Sequence, residues 1–340
     1  MEFKEIEFRG MTLTEEDLIQ LFYYKFTETP LLKRMDAVKD YFIDSWETLK
    51  GRNISEDDQE MLQMKFDKMY TTKDIYTIYN WMLDDCGCDL LPEVPYEKRK
   101  LPYEDVFPML YLKYRLSGGN STHKNIKHLV IDEMQDYTYL QYTILESLFH
   151  CRMTILGDRA QTLDTKQQDV LRFLPKLLGR EIRTIEIKKS YRNTLEIARY
   201  AEKVSGVSDL ELLDRHGKEV VEKTFNTDTE LLDELVCHLK CPGDFETAAL
   251  ITTTEEEAFD LSRLLKLRGI NVSYVDRNSS AFKKGLTVTT FYLAKGLEFD
   301  QVFALRGAKE NPLKNQAEYI CATRALHELY IYEITDSLSK

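Results

Sequence analysis

The first third of the chain has apolar residues at the spacing of amphipathic helices. A capping-box pattern at residues 14–17 predicts one helix start, and Pro30 predicts another, because proline suits the first turn of a helix. Gly118 predicts a helix end, since glycine tolerates the left-handed cap conformation. We therefore predict that residues 11–116 are helical. The predicted helices begin near Thr14, Pro30, Ser55, Ile75 and Tyr103.

From His128 onward the pattern changes to short apolar segments that alternate with amphipathic helices. This alternation is typical of a parallel sheet with helices on both faces, so the fold class is α/β. The predicted strands are His128–Ile131, Met153–Leu156, Arg183–Ile187, Ala248–Thr252, Asn271–Val275, Leu286–Phe291, Gln301–Leu305 and Leu329–Ile334.

Length and composition narrow the class of protein. The chain has 340 residues, 43% of them hydrophobic, which is enough for two domains. Its apolar runs are far shorter than the roughly 20 residues that span a bilayer, and its first residues lack the pattern of a signal peptide, so we expect a cytoplasmic protein without a membrane segment. The net charge is −12, so any contact with nucleic acid must be local.

The segment from His128 to Asp136 reads as an apolar strand that ends in carboxylates. In a parallel sheet, ligands bind at the carboxyl ends of strands. Asp132 would hold Mg²⁺ there, and Glu133 would orient or deprotonate the attacking water in phosphoryl transfer. An isolated Asp-Glu pair is more often an acidic loop after a strand, so this motif needs others beside it.

A second strand of the same design ends in Gly157-Asp158 and is followed by Gln161. The amide of Gln161 can both donate and accept hydrogen bonds, which suits sensing of a terminal phosphate. Two arginines follow. Arg192, next to Tyr191, stands at a predicted helix start, and Arg324 precedes the last strand; each could neutralise charge on a phosphoryl group, although a single surface arginine usually makes an ordinary ion pair.

The segment Ala294-Lys-Gly-Leu-Glu-Phe-Asp300 is long and specific. Gly296 lets the backbone approach a ligand closely, and Glu298 could accept hydrogen bonds from a ribose hydroxyl.

These segments, in this order and spacing, resemble motifs II to VI of UvrD/Rep-type superfamily-one DNA helicases. The motifs read D-E-M-Q-D, G-D-x-x-Q, S-Y-R-N, A-K-G-L-E-F-D and A-T-R-A. The sequence around Tyr292 and around Cys321 resembles that of the HelD branch, as does the upstream segment from Phe107 to Leu116. The resemblance covers residues 128–334 and is looser upstream.

The resemblance implies a RecA-like P-loop NTPase fold, with ATP and Mg²⁺ at the site. It assigns Asp132 and Glu133 to magnesium and water, and Gln161 to the γ-phosphate. It also assigns Arg192 and Arg324 to the γ-phosphate, Tyr191 to stacking on a base and Glu298 to the ribose. One departure concerns DNA: Tyr292 stands where UvrD-like enzymes usually carry a histidine near single-stranded DNA.

The largest departure is that the sequence has no P-loop, the phosphate-binding segment with the pattern G-x-x-x-x-G-K-[ST]. Such a loop supplies the backbone cradle and the lysine for the β- and γ-phosphates, so its absence removes most of the affinity for ATP. We expect the chain to be either a piece of a larger helicase-like protein or a naturally truncated relative, inactive as an ATPase by itself.

The resulting hypothesis has three regions: a helical subdomain at 1–120, the carboxy-terminal part of a first RecA-like domain at 121–182 and a second RecA-like domain at 183–340. The function would be ATP-dependent translocation on nucleic acid, or remodelling of RNA polymerase, the partner that a HelD-like protein implies. DNA would bind weakly. The alternative is a non-catalytic interaction module that kept the helicase-like fold and lost ATPase activity.

Overall fold

The fold is taken from a computed structural model of the chain, which describes residues 1–119, 125–163, 170–179, 182–207, 211–240, 245–279, 284–306 and 312–334. Its α-helices are α1 (Glu15–Gln20), α2 (Arg34–Lys50), α3 (Glu56–Asp67), α4 (Ile75–Asp85), α5 (Tyr103–Ser117), α6 (Tyr139–Leu148), α7 (Val170–Leu178), α8 (Leu195–Ser205), α9 (Asp228–Lys240), α10 (Glu255–Leu267) and α11 (Lys314–Arg324). Its strands are β1 (Ile6–Phe8), β2 (Met11–Leu13), β3 (His128–Ile131), β4 (Arg152–Ile155), β5 (Lys189–Ser190), β6 (Glu211–Leu212), β7 (Val221–Phe225), β8 (Thr247–Thr252), β9 (Val272–Tyr274), β10 (Gly285–Thr290), β11 (Phe299–Arg306) and β12 (Ala325–Ile334).

The described chain divides into two compact units. The first contains Met1–Val130 and Thr138–Thr154, and the second contains Ile131–Tyr137 and Ile155–Lys340. Each unit has hydrophobic clusters of its own.

The first unit is mainly helical, and α1, α3, α4 and α5 begin where the sequence predicts. Pro30 instead precedes a short 3-10 turn, and α2 begins at Arg34. Thr14 accepts a hydrogen bond from the backbone N–H of Asp17, whose carboxylate in turn accepts one from the backbone N–H of Thr14. Ser55 caps α3 through the backbone N–H of Asp58. These caps satisfy N–H groups that a helix start leaves without partners. Around them, aromatic and aliphatic side chains of β1, β2, α1, α2 and α3 form one buried cluster.

The second unit is built on a six-stranded sheet in the order β7-β12-β11-β8-β10-β9, with every neighbouring pair parallel. Successive side chains along its strands enter opposite cores, as the two-residue period of a strand requires. In β11, Val302 and Ala304 pack in the cluster with α8 and α11, while Phe303 packs in the cluster with α9 and α10. The sheet is therefore covered by helices on both faces, and the α/β class is confirmed.

Three local predictions differ from the structure. Residues 11–13, predicted within the helical region, form the second strand of a hairpin whose turn, Arg9-Gly10, has positive φ at both positions, as a two-residue hairpin turn favours. The strand Val221–Phe225 was not predicted. The predicted strand Arg183–Ile187 is wrong: that segment forms no ladder with any described strand, and Ile187 is 80% exposed.

Candidate active site

The first acidic segment lies directly after β3, in a short turn with an unusual backbone. Glu133 has φ 54°, in the left-handed region that a side chain other than glycine seldom adopts. The backbone N–H of Glu133 donates to the Asp132 carboxylate at 2.8 Å. Gln135 then donates from Nε2 to Glu133 Oε2 at 2.6 Å, so the amide fixes the Glu133 carboxylate. Strain of this kind is held in place by surrounding contacts and is common at functional sites.

The second motif packs against the first through Gly157. A Cβ at position 157 would overlap Gln135 and Met134, so only glycine lets the two turns come this close. The backbone N–H of Asp158 donates to Gln135 Oε1 at 3.0 Å. The amide of Gln135 thus bridges the two acidic turns, with its NH₂ group toward Glu133 and its oxygen toward Asp158.

Gln161 is buried at the end of the second motif, and both ends of its amide are engaged. Its Nε2 donates to Asp158 Oδ2 at 2.9 Å, and its Oε1 accepts from Arg324 Nη2 at 3.2 Å. Because a carboxylate only accepts and a guanidinium only donates, these partners define the orientation of the amide. The structure therefore brings the predicted phosphate sensor and the last predicted arginine into contact.

Arg324 is the last residue of α11 and is only 3% exposed. Its Nη1 donates to the carbonyl of Leu297 at 3.2 Å, but its Nε is buried without a hydrogen-bond partner among the described residues. Burial, followed by the positive charge of Arg192, lowers the pKa of Arg324 from its usual value. A buried guanidinium with an unused donor can accommodate an anion.

Asn193 fixes the end of the helix that carries Arg324. It is 7% exposed, and its Nδ2 donates to the carbonyls of Ala322 at 3.2 Å and Ala325 at 2.6 Å. These carbonyls flank Arg324 at the point where α11 gives way to β12. The side-chain amide of Asn193, the residue after Arg192, therefore holds the backbone on both sides of Arg324.

Lys295 links the acidic turn to the segment that contains Gly296. Its side chain is 8% exposed, and Nζ contacts Asp136 Oδ2 at 2.6 Å and Glu133 Oε2 at 3.4 Å. The same ammonium donates to the backbone carbonyl of Gln161 at 2.9 Å. A single buried cation thus neutralises two carboxylates and contacts the segment that contains Gln161.

A cavity of about 570 Å³ adjoins this network. Arg192 and Glu298 form an ion pair at 2.8 Å in its lining, and both side chains are more than 40% exposed. Tyr191, also in the lining, is 63% exposed, with Lys189 Nζ 5.4 Å from its ring centroid. Gly296 has φ 78°, and no described atom lies within 4 Å of the position where a Cβ would be. An exposed aromatic face, cations and a carboxylate can contact a planar base, phosphates and a sugar.

The donor set fits a nucleotide better at its terminal phosphate than at the phosphates that a P-loop would cradle. The second N–H of Gln161, which lines the cavity, is suited to an anion. Asp132 is exposed after a strand, and one carboxylate together with phosphate oxygens is an ordinary environment for Mg²⁺. No group of three or more metal-binding side chains occurs among the described residues.

The structure assembles most of the predicted site residues and adds others. Glu133, Gln161 and Arg324 belong to one network, whereas Arg192 and Glu298 are paired with each other. Sequence reasoning did not single out the side chains that connect them: Gln135, Asp136, Asp158, Asn193, Lys295 and Tyr319. All but Tyr319 lie inside the five motif segments, so the motif boundaries were the available signal, while Tyr319 has none in the local pattern.

No helix within the described ranges is both long and apolar enough to cross a membrane. No protein-family model and no curated protein matches the chain. One similar solved structure is the C-terminal domain of a possible DNA helicase from Lactobacillus plantarum WCFS1, at 26% identity and a TM-score of 0.36, covering 43% of this chain and 88% of that one.

Another similar solved structure is the PRRSV helicase, at 16% identity and a TM-score of 0.37, with 77% of this chain and 46% of that one covered. The chain thus spans less than half of the viral protein. Because both TM-scores are below 0.5, neither likeness decides fold or function.

Proposed function

We propose that the chain supplies most of the ATP-hydrolysis site of a RecA-like, UvrD/Rep-type helicase or translocase of the HelD branch. The observation that carries this proposal is the convergence of Gln161 with Arg324, 163 residues apart, and with Lys295, 134 residues apart. Residues of three motifs that resemble one helicase family thus meet through direct hydrogen bonds. Conventional ion pairing on a protein surface would not bury an arginine to 3% exposure at a glutamine amide.

In this proposal Glu133 is the general base. Gln135 holds its carboxylate by a hydrogen bond to Oε2, and Oε1 would accept a proton from water. Asp132 would hold Mg²⁺, which when bound supplies positive charge to the phosphate oxygens.

Arg324 and Arg192 have the charge needed to neutralise a phosphoryl group during transfer. Arg324 is preorganised, because its guanidinium is buried and bonded to Leu297 and Gln161. Arg192 is exposed and paired with Glu298, so nucleotide binding would exchange that ion pair for contacts of Arg192 with phosphate and of Glu298 with the ribose. Tyr191 would stack on the base, and Gly296 would let the backbone approach the nucleotide.

The second candidate is an interaction module without ATPase activity. It is favoured by the absence of a P-loop from the sequence and by Lys295, which already neutralises Glu133 and Asp136. We include RNA polymerase as the proposed partner of either form. Tyr292 donates to Glu255 Oε1 at 2.9 Å, so the side chain that replaces the DNA-contacting histidine is engaged by a carboxylate, which supports weak DNA binding.

Nucleotide binding distinguishes the two candidates. Ligand-observed NMR with Mg²⁺ and a non-hydrolysable ATP analogue should detect weak, saturable binding, because the terminal-phosphate side of the site is present and the P-loop cradle is not. Arg324→Ala should reduce that binding, whereas Arg263→Ala, a change in a side chain 66% exposed on α10, should not. No binding by the unaltered chain would favour the interaction module.

A further inference from the structure

A buried tyrosine hydroxyl completes the network around Gln161. Tyr319 lies on α11, is 8% exposed and donates from its hydroxyl to Asp158 Oδ2 at 2.8 Å. Desolvation and the neighbouring Asp158 charge raise the pKa of Tyr319, so the hydroxyl remains a donor at neutral pH. The same oxygen, Asp158 Oδ2, accepts from Gln161 Nε2.

The contacts of Asp158 make the orientation of Gln161 depend on Tyr319. Oδ1 of Asp158 is held by the backbone N–H of Ala160 at 2.9 Å, and Oδ2 is held by the tyrosine. With both oxygens fixed, the carboxylate presents one acceptor direction to Gln161, whose amide oxygen then meets Arg324. Without the Tyr319 hydroxyl, Asp158 Oδ2 keeps the hydrogen bond from Gln161 Nε2 but loses the one that fixes it. The Asp158 carboxylate could then turn about its Cβ–Cγ bond.

The second N–H of Gln161 is the group that would meet a ligand in the cavity. An amide NH₂ has two N–H groups, one of which is used by Asp158, and Arg324 Nε has no partner among the described residues. Gln161, Asp158 and Tyr319 all line the 570 Å³ cavity. The second N–H of Gln161 therefore suits an oxygen of a γ-phosphate, which a nucleoside triphosphate has and the corresponding diphosphate lacks. Arg324, only 3% exposed, bonds the amide oxygen of Gln161.

We propose that Tyr319 is a positioning residue that fixes Gln161 through Asp158, and that this relay makes the site prefer a nucleoside triphosphate to a diphosphate. The inference rests on the proposed nucleotide-binding function and adds the side chain that sets phosphate selectivity. A purely structural role, the attachment of α11 to the Asp158 turn, would change stability but would leave the preference for the triphosphate intact.

Tyr319→Phe removes only the hydroxyl and keeps the ring that packs in the core. Ligand-observed NMR titrations with Mg²⁺ should give Kd values for ADP and for a non-hydrolysable ATP analogue. We expect the variant to lose about tenfold in preference for the analogue, since one charge-assisted hydrogen bond contributes about that factor, with the Kd for ADP unchanged. An unchanged preference in Tyr319→Phe would overturn the inference.

The matched control is Tyr200→Phe, on α8 in the same hydrophobic cluster. The Tyr200 hydroxyl is also buried, but it bonds to Glu318 Oε2 and Arg306 Nη2, both at 3.1 Å. This variant should match Tyr319→Phe in melting temperature and keep the native preference. An equal loss of preference in Tyr200→Phe would mean that any missing buried hydroxyl perturbs the site, and would sink the relay.

A double-mutant cycle tests whether Tyr319 acts through Gln161. Gln161→Ala should lower the preference for the triphosphate at least as much as Tyr319→Phe, and the double variant should resemble Gln161→Ala. Independent, multiplying losses would contradict the relay while leaving nucleotide binding in place. If the unaltered chain binds neither nucleotide, the proposed function fails and the inference fails with it; if it binds both equally, only the inference fails.

Discussion

The six-stranded sheet and the β3–β4 pair differ in how completely they are buried. The six-stranded sheet has helices on both faces, and Phe303 in β11 is 1% exposed. The β3–β4 pair has only two strands. Val130 in β3 is 60% exposed, and Leu156, just after β4, is 45% exposed. The buried Arg324 comes directly before β12 of the six-stranded sheet, and the exposed Asp132 comes directly after β3.

The difference indicates which part of the site is preorganised. Arg324 and Lys295 are held by a packed layer and by several hydrogen bonds each. The acidic turn is held chiefly by polar contacts, from Gln135 and Lys295. In the proposed function, electrostatic catalysis would depend on groups that are fixed before the reaction, so the cationic side of the site would need less rearrangement than the acidic side.

The largest effect expected from this difference is on turnover. The isolated chain should release phosphate from ATP far more slowly than 1 s⁻¹, the lower end of usual enzyme rates, because its fixed cations cannot replace the missing P-loop. Steady-state phosphate release with saturating single-stranded DNA measures this. Turnover near 1 s⁻¹ would contradict the prediction and would mean that the acidic side is already competent.

Next in size is the effect of the two arginines in an ATPase-active form that includes a P-loop. Arg324→Ala and Arg192→Ala should each lower kcat by about 10³. The change in nucleotide Kd should be modest in this form, unlike in the isolated chain, because the P-loop would supply most of the binding affinity and the arginines would act mainly on the rate. Single-turnover hydrolysis and equilibrium binding separate the two quantities. Unchanged kcat in both variants would show that the arginines are misassigned.

Stability should also differ between the two sheets. Phe303→Ala should cost about 3–5 kcal/mol of unfolding free energy, since it removes a buried ring stacked on Tyr330 at 4.6 Å. The matched change Val130→Ala should stay within about 0.5 kcal/mol, because that side chain is mostly in solvent. Urea denaturation measures both. Equal costs would remove the contrast between the covered and the open sheet.

A smaller effect is expected at the cation that joins the acidic turn to the rest of the site. Lys295→Met should cost about 1–2 kcal/mol, because Asp136 and Glu133 would face each other without the ammonium, and both carboxylates are partly solvated. Lys284→Met, which removes an exposed ion pair with Glu246, should change stability by about 0.5 kcal/mol or less. Thermal unfolding of both variants tests whether burial of the cation matters.

The smallest effect concerns DNA. The isolated chain should bind single-stranded DNA no more tightly than the non-specific range of about 10⁻⁴ to 10⁻⁶ M at physiological salt, given its net charge of −12 and the Tyr292–Glu255 contact. Fluorescence anisotropy measures this, and a pull-down tests binding of purified RNA polymerase. Nanomolar DNA affinity without retention of polymerase would point to an ordinary DNA helicase fragment.

Local patterns in the sequence were sufficient for most elements. The Thr14 cap, the Ser55 cap and the strand His128–Ile131 follow from side chains within a few residues, so they could be predicted. The segment Arg183–Ile187 has the same alternation as a strand but no described neighbour to pair with. The residue types of this segment favour an extended backbone, but a strand also needs a neighbouring strand to pair with, and no described strand pairs with it.

The sequence by itself determined the α/β class and the chemistry of the motifs, because the period of apolar residues and the types of side chain are local properties. Tertiary structure alone decided that Lys295 pairs with Asp136, Arg192 with Glu298 and Tyr319 with Asp158. These partners are separated by more than 100 residues, and their distances depend on strand order and on how the helices cover the sheet. No local pattern in the sequence specifies that arrangement.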